Sequence, residues 1–187
     1  MRYNQIRECD IANGEGIGIA LFVQGCHFKC KNCFNPETWD FNGGNEWTLE
    51  VEDKFIELAS RPYIKRISLL GGECLADENL DGILNLVNKI RLLMPDKTIW
   101  LYTGYTWEFI KDSFEESKKF LQASWKDNLM KRYKIVSQCD VLVDGRYVDS
   151  LRDVTAKWRG STNQRIWKKV NGVWSDITNN IQGDEDL

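Results

Sequence analysis

Short apolar segments alternate along the chain with longer segments whose apolar residues recur at helical spacing. Because a short apolar run bounded by glycine or polar residues is typical of a buried strand, we predict four strands. They lie at residues 18–23, 65–70, 98–103 and 141–143. The segments between them predict helices at 49–60, at 80–94 and, with a break, from 106 to about 131.

This alternation favours a parallel sheet with right-handed crossover connections, because each predicted strand is separated from the next by a helix. Ligands in such sheets bind outside the carboxyl ends of the strands. Glycine, cysteine and acidic residues stand at those ends, in the segments 25–26, 71–73, 103–104 and 144–145. The sequence therefore predicts a binding site along this edge of the sheet.

The last part of the chain has a different pattern. Two segments of strand character, 165–170 and 173–175, flank the pair Asn171–Gly172, which is a strong signal for a two-residue hairpin. The acidic tail at 183–187 is predicted to be disordered. We therefore expect one main domain at 1–165, followed at 166–187 by a small C-terminal hairpin and the acidic tail.

The composition indicates which partners and which cell compartment can be expected for this protein. The chain has 187 residues, a formal net charge of -3 and 42% apolar residues, an ordinary balance for a soluble globular protein with no reason to bind nucleic acid. No apolar run approaches the roughly 20 residues that span a bilayer, so no membrane partner is expected. The first ten residues lack the apolar stretch of a secretory signal, and we expect a cytoplasmic protein.

Six cysteines are present, and in a reducing compartment a tight group of them indicates metal binding or catalysis. Three form a C-x3-C-x2-C pattern, at Cys26, Cys30 and Cys33. Soft thiolates select iron–sulfur clusters, zinc or copper(I). Three thiolates can hold three irons of a four-iron cluster and leave the fourth iron open to a ligand. Structural zinc remains an alternative, with a fourth ligand from His27, Cys9 or Cys74.

The cysteine pattern after the first predicted strand and Gly-Gly-Glu after the second resemble the radical S-adenosylmethionine superfamily. The sequence is more closely similar to one family within it, the activating proteins of anaerobic ribonucleoside-triphosphate reductase. The similarity covers about residues 4 to 165 and rests on six segments in order, at 23–26, 33–39, 69–73, 100–105, 140–145 and 158–165.

The resemblance implies an α/β fold, a partial open (β/α) barrel with the site at the carboxyl ends of its strands. It implies that a [4Fe-4S] cluster is ligated by Cys26, Cys30 and Cys33. S-adenosyl-L-methionine would chelate the fourth iron through its amino and carboxylate groups. The residues that the resemblance places around this cofactor are Asn32, Cys33, Phe34, Gly71, Gly72, Glu73 and Thr103.

The resemblance also implies the reaction and its partners. One electron would cleave S-adenosylmethionine reductively to a 5′-deoxyadenosyl radical, which would take hydrogen from a glycine of the large subunit of anaerobic ribonucleoside-triphosphate reductase. No catalytic side chain beyond the cluster and cofactor is implied, and a low-potential donor such as flavodoxin would supply the electron. Contacts with the glycine-bearing loop are expected at 13–16 and 158–165.

Two other functions stay open. The same chemistry could serve another glycyl radical enzyme, although the segment 158–165 favours the reductase by resemblance. The chain could instead be a non-catalytic zinc or iron–sulfur binding module, which would leave Gly-Gly-Glu without a task.

The sequence departs from the family pattern in three places. Cys74 stands where the family usually has proline, and we expect it to be a small buried hydrophobic residue. Asn32 stands where many relatives have an aromatic residue, and the segment 114–133 looks like a surface insertion. Outside the pattern, Cys9 and Cys139 are expected to be buried packing residues and His27 an exposed loop residue.

Overall fold

The computed structural model describes residues 1–119 and 124–181, which fold around one mixed β-sheet. Within these residues the sheet has eight strands in the order β3-β1-β2-β4-β5-β6-β7-β8. The strands are β1 (Arg2–Asp10), β2 (Gly18–Val23), β3 (Asn45–Glu46), β4 (Arg66–Gly71), β5 (Thr98–Tyr102), β6 (Val141–Asp144), β7 (Arg165–Val170) and β8 (Val173–Asp176). The tail at 183–187, predicted to be disordered, lies outside the described residues.

The four predicted strands form the centre of the sheet and are parallel to one another, as β2, β4, β5 and β6. Strands β1 and β3 extend the sheet on one side in antiparallel pairing and were not predicted. Across the described ranges β3 and β8 are the two edges, so the sheet is open. The α/β class is therefore confirmed, whereas the partial open barrel stays a prediction.

Helices connect the parallel strands. They are α1 (Leu49–Ala59), α2 (Leu80–Leu93), α3 (Trp107–Ser117) and α4 (Ser124–Ser137). The hydroxyl oxygen of Thr48 accepts a hydrogen bond from the Val51 amide at 3.3 Å and caps α1, and Thr106 caps α3 in the same way. Of the predicted insertion at 114–133, residues 120–123 lie outside the described part. No helix in the described ranges is long and apolar enough to cross a membrane.

The two faces of the sheet have different neighbours, because side chains alternate along each strand. The helices cover one face, where the main core forms around Ile19, Leu21, Ile67, Leu69, Ile99, Leu101 and Leu142. The opposite face carries two smaller apolar groups, comprising Ala20, Phe22, Leu70, Trp100, Val141, Val143 and Ile166. This helix-free face leaves room for a cavity.

A buried ion pair fixes the loop between β1 and β2 on the helix-free face. Arg66 Nη2 lies 3.0 Å from Asp10 Oδ1, and both side chains are almost fully buried. The same guanidinium donates to the carbonyl oxygen of Glu15 at 3.1 Å. The ion pair and this hydrogen bond therefore compensate for the desolvation cost of burying the Arg66 guanidinium, and they hold the backbone of the loop in place.

The predicted hairpin is confirmed. Val170 pairs with Val173 across the turn, where Asn171 and Gly172 have φ values of 51° and 81°. Positive φ at both positions is the geometry of a type I′ turn, which favours Asn-Gly. The hairpin continues the main sheet, since β7 pairs with β6. The domain boundary at 165/166 stays a prediction.

Candidate functional site

The cysteine segment follows β2 directly and is fastened to the short 3-10 turn at Pro36–Thr38. The Gly25 amide donates to the carbonyl oxygen of Thr38 at 2.7 Å, and the Cys26 amide donates to that of Trp39 at 3.1 Å. The chain therefore leaves the carboxyl end of β2 and folds back over it. The three cysteines of the pattern are thus held above the carboxyl ends of the parallel strands.

Cys26, Cys30 and Cys33 are half-buried free thiols that line one cavity of about 590 Å³. Burial raises the pKa of Cys26 and of Cys30, and backbone amides that donate to the sulfur atoms oppose this rise. The Asn35 amide lies 3.5 Å from Cys33 Sγ. The site therefore offers three soft donors to a ligand in the cavity, the donor set that iron–sulfur clusters use.

Within residues 1–119 and 124–181, no three His, Cys, Asp or Glu side chains converge closely enough to hold a single metal ion. The thiolates of a four-iron cluster bind separate iron atoms, so they are spread around the cluster rather than gathered at one point. Three thiols around a cavity are compatible with that arrangement.

The Gly-Gly-Glu segment at the end of β4 is fitted tightly against the cysteine segment. The Gly72 amide donates to the carbonyl oxygen of Val23 at 2.9 Å, and the Glu73 amide to that of Gly25 at 2.8 Å. Gly71 has φ of 102°, and a Cβ placed on Gly72 would lie 2.4 Å from the Gly25 carbonyl oxygen. Glycine is therefore favoured at position 71 by its backbone conformation and at position 72 by the close approach of the Gly25 carbonyl.

Glu73 joins the ends of two neighbouring strands by its buried carboxylate. Oε1 accepts hydrogen bonds from the Thr103 hydroxyl at 2.7 Å and the Leu75 amide at 2.8 Å, and Oε2 accepts one from the Gly104 amide at 2.8 Å. Burial raises the pKa of Glu73, and these hydrogen bonds oppose the rise. The carboxylate is thereby held at the cavity wall with little capacity left for further donors.

Most of the predicted site residues meet in this cavity. Its lining includes Cys26, Cys30, Cys33, Phe34, Gly71, Gly72, Glu73 and Thr103. Phe34 stands at the rim with 54% of its surface exposed, and its ring lies edge-on to Tyr147 at 5.2 Å. Asn32 is not part of this lining in the described structure. Its side chain donates to Asp149 Oδ2 at 2.8 Å, on the outer side of the loop.

The remaining cysteines and the histidine lie elsewhere. Cys74 is fully buried in the core on the helix side, and Cys139 is fully buried too, which confirms both predictions. Cys9 is exposed, and the prediction of a buried residue was wrong. It lies near the end of β1, a strand with a largely polar sequence that leaves this stretch in solvent. His27 is 62% exposed, as predicted, with Nε2 at 3.0 Å from Glu78 Oε1.

The two segments expected to meet a partner also border the cavity. Asn13 lines it from one side, and Trp158, Arg159, Gly160 and Gln164 line it from another. Gln164 Oε1 accepts from the Gly160 amide at 2.9 Å, and the Trp158 ring lies edge-on to Trp100 at 5.0 Å.

Sequence reasoning missed several residues of the cavity lining, and two of them contact each other beside the cysteines. Phe28 and Arg146 both line the cavity, and the Arg146 guanidinium lies 4.3 Å from the centre of the Phe28 ring. Arg146 follows Asp144–Gly145, a segment already singled out as the end of a predicted strand. That position was the available signal for it.

Comparison with known families assigns this arrangement to a class. The model of a family described as "4Fe-4S single cluster domain" matches residues 12–167, which include all of the cavity lining beyond Arg7. The chain is thus a member of a family of single-cluster iron–sulfur proteins.

Relatives that match about nine-tenths of the chain identify a family within this class. A protein of Enterobacteria phage T4 is 35% identical over 174 residues, covering 93% of this chain and 98% of its own. Proteins of Vibrio cholerae and Escherichia coli K12 are 38% and 37% identical over 168 residues, covering 89% of this chain and 97% of theirs. All three are named anaerobic ribonucleoside-triphosphate reductase-activating protein, and the chain belongs to that family.

Proposed function

We propose that this protein is an activase of the radical S-adenosylmethionine class that forms the glycyl radical of an anaerobic ribonucleoside-triphosphate reductase. One observation carries the proposal: three free thiols and the Gly-Gly-Glu segment, from separate strand ends, line the same cavity. The names of the relatives supply the target, since each is described as activating this reductase. The open sheet is consistent with a partial (β/α) barrel that admits a protein substrate.

The thiols of Cys26, Cys30 and Cys33 would hold a [4Fe-4S] cluster. They suit it because they are free, partly buried and arranged around a cavity large enough for a cluster with a second ligand. The Asn35 amide, 3.5 Å from Cys33 Sγ, is placed to donate a hydrogen bond to that sulfur when it ligates iron. The cysteine pattern therefore has both the donor chemistry and the supporting hydrogen bonds that cluster binding requires.

S-adenosylmethionine would lie beside the cluster, against Gly71, Gly72, Glu73 and Thr103. The buried Glu73 carboxylate places negative charge at the cavity wall, where it would favour the cationic amino group of the methionine part. Thr103 and the Gly104 amide would keep this carboxylate in place. Phe34, at the rim, is available for the adenosine part. Asn32 does not line the cavity, and its side chain would have to leave Asp149 to reach the adenosine part.

When bound, the reduced cluster would supply the electron that cleaves S-adenosylmethionine and so yields the 5′-deoxyadenosyl radical that abstracts hydrogen from a glycine. The chain itself orients the cofactor and shields the cavity. The helix-free face, where Phe22, Leu70 and Trp158 contribute apolar walls, would keep water from the reacting atoms. The open rim between 12–13 and 153–164 would admit the glycine-bearing loop of the large subunit.

The electron donor would be a low-potential carrier such as flavodoxin, which would need to approach the exposed outer side of the cysteine segment. This activity would place the protein in the cytoplasm with its reductase.

A direct test uses the large subunit of the reductase as substrate. The reconstituted chain, S-adenosylmethionine and a low-potential reductant are mixed anaerobically with the reductase, and a glycyl radical is sought by electron paramagnetic resonance. A doublet that requires all components supports the proposal. A radical formed only on a different glycyl radical enzyme would show that the target is wrong, and no radical on any of them would contradict the activase function.

A further inference from the structure

Arg146 lines the same cavity as the three cysteines. Its guanidinium lies over the Phe28 ring at 4.3 Å. It forms no ion pair with any carboxylate of residues 1–119 and 124–181. Phe28 lies between Cys26 and Cys30 in the sequence and shares the cavity with both. An unpaired cation held against an aromatic face at this position puts positive charge next to the predicted cluster.

The aromatic ring that supports Arg146 is itself fixed. Phe28 lies edge-on to Tyr105 at 5.0 Å, and Gly104 packs so closely that a Cβ there would lie 2.4 Å from the ring. The ring therefore has little freedom to rotate, and the guanidinium packs against a fixed aromatic surface.

The backbone that carries Arg146 is also tethered. Asn163 Nδ2 donates to the Arg146 carbonyl oxygen at 2.8 Å, and Gln164 Nε2 donates to the Gly145 carbonyl oxygen at 2.9 Å. The next residue in the chain, Tyr147, also lines the cavity. The segment 145–147 thus holds a positive charge at the wall of the cavity that the cysteines share.

This inference rests on the proposed cluster. We infer that the positive charge of Arg146 raises the reduction potential of that cluster. Reduction adds one negative charge to the cluster, and a nearby cation stabilises the more negative state. Asn163 and Gln164 take part indirectly, by holding the segment in place.

The test is a redox titration of the reconstituted cluster without S-adenosylmethionine, followed by absorbance or electron paramagnetic resonance. Arg146→Gln removes the charge and keeps a similar length. At a fixed potential we expect the ratio of reduced to oxidised cluster to fall about tenfold, which is about 59 mV for a one-electron couple. Arg146→Lys, which keeps the charge, should recover most of the loss.

Arg7→Gln is the matched control. Arg7 is also an exposed arginine over a phenylalanine ring, at 4.4 Å from the centre of Phe22, and it also lines the cavity. It lies on β1, on a different element from the segment 145–147. Its removal should shift the potential less than the removal of the Arg146 charge does.

A second variant covers the case in which Arg146→Gln loses its cluster. Asn163→Leu removes the tether but keeps the arginine, and it should lower the ratio by a smaller factor in the same direction. Unchanged titrations of both variants, with iron content equal to that of the wild type, would overturn the inference. So would an equal shift in Arg7→Gln.

The outcomes separate this inference from the proposed function. A wild-type chain that takes up no cluster would contradict both the proposed function and the inference on Arg146. A wild-type chain that assembles the cluster and cleaves S-adenosylmethionine, with the same potential in Arg146→Gln, would remove only the role of Arg146.

Discussion

The Thr103 hydroxyl donates a hydrogen bond of 2.7 Å to Glu73 Oε1 and so ties the carboxyl end of β5 to that of β4. Both residues are buried, and the Gly104 amide adds a second bond to the same carboxylate from the β5 side. Because a buried carboxylate loses its hydration, each of these donors compensates for part of a large desolvation cost. The wall of the cavity next to the cysteines therefore depends on this pair.

Replacing Thr103 tests that dependence. Thr103→Val keeps the shape but removes both the donor to Glu73 and the acceptor of the Tyr105 amide. We expect the free energy of unfolding of the apo protein to fall by about 1–3 kcal/mol. Thr103→Ser retains the hydroxyl and should lose much less. Urea denaturation compares the three proteins. Thr103→Val as stable as the wild type would mean that the Glu73 carboxylate does not need this donor.

The cysteine assignment predicts a sharp division among the thiols. Alanine in place of Cys26, Cys30 or Cys33 should abolish assembly of a four-iron cluster, because each thiolate binds its own iron. Cys9→Ala is the control, since Cys9 is exposed and lies outside the cavity lining. Iron and sulfide are measured after anaerobic reconstitution. An iron-replete Cys30→Ala protein would exclude the assignment.

Cys74 is expected to be structural. Its Sγ lies 3.9 Å from the Leu70 carbonyl oxygen within the core, and burial raises its pKa well above the usual value. Cys74→Ala should therefore retain the full iron content and lose about 1 kcal/mol of stability through a small cavity. Reconstitution and denaturation of the same preparation check both parts. Loss of iron from this variant would show that Cys74 takes part in the cluster site.

The ion pair of Asp10 and Arg66 should matter more than exposed pairs. Arg66→Met leaves the Asp10 carboxylate buried without its cation, and stability should fall by about 3–5 kcal/mol. Arg61→Met breaks the exposed pair with Glu8, so a much smaller loss is expected, because solvent already screens this pair. Equal losses in the two variants, measured by urea denaturation, would contradict the role given to the buried pair.

Because the Cys139 thiol is buried, we expect the free energy of unfolding to fall as the pH rises in the alkaline range. Burial raises the pKa of its thiol from 9.0 to about 12 in the folded protein. Above pH 9 the unfolded chain releases this proton and the folded chain keeps it, so stability is lost as pH rises from about 9 towards 12. Other buried acids, including Cys74, add to the same trend.

Cys139→Ala isolates the contribution of this thiol. Between pH 9.5 and 10.5 the free energy of unfolding of the wild type should fall more steeply than that of the variant, by about 1.4 kcal/mol per pH unit. Denaturation curves at several pH values give both slopes. Identical slopes would show that the Cys139 thiol ionises as readily in the folded chain as in the unfolded one.

The elements that were predicted correctly are those that show a hydrophobic pattern within their own segment of the sequence. Strands β2, β4, β5 and β6 are buried almost throughout, so each is a short apolar run in the sequence. Strand β1 was missed because it is largely polar, with residues 7–9 exposed. Its position depends on pairing with β2 and on Arg66, which are long-range contacts that no local pattern contains.

The candidate site was predictable to a similar extent. The cysteine spacing and Gly-Gly-Glu lie at strand ends, and the parallel sheet brings strand ends together. The contact between Arg146 and Phe28 was not predictable, because it joins residues far apart in the chain through the packing of two loops. The Asn32 side chain contacts Asp149 for the same kind of reason.

The most direct test of the proposed chemistry is the formation of 5′-deoxyadenosine by the chain alone. The protein is reconstituted anaerobically with iron and sulfide, then incubated with S-adenosylmethionine and a low-potential reductant, and the product is quantified by chromatography beside Cys30→Ala. We predict 5′-deoxyadenosine from the wild type and none from the variant. A wild-type protein that holds its cluster but yields no 5′-deoxyadenosine, or that binds only zinc, would contradict the account.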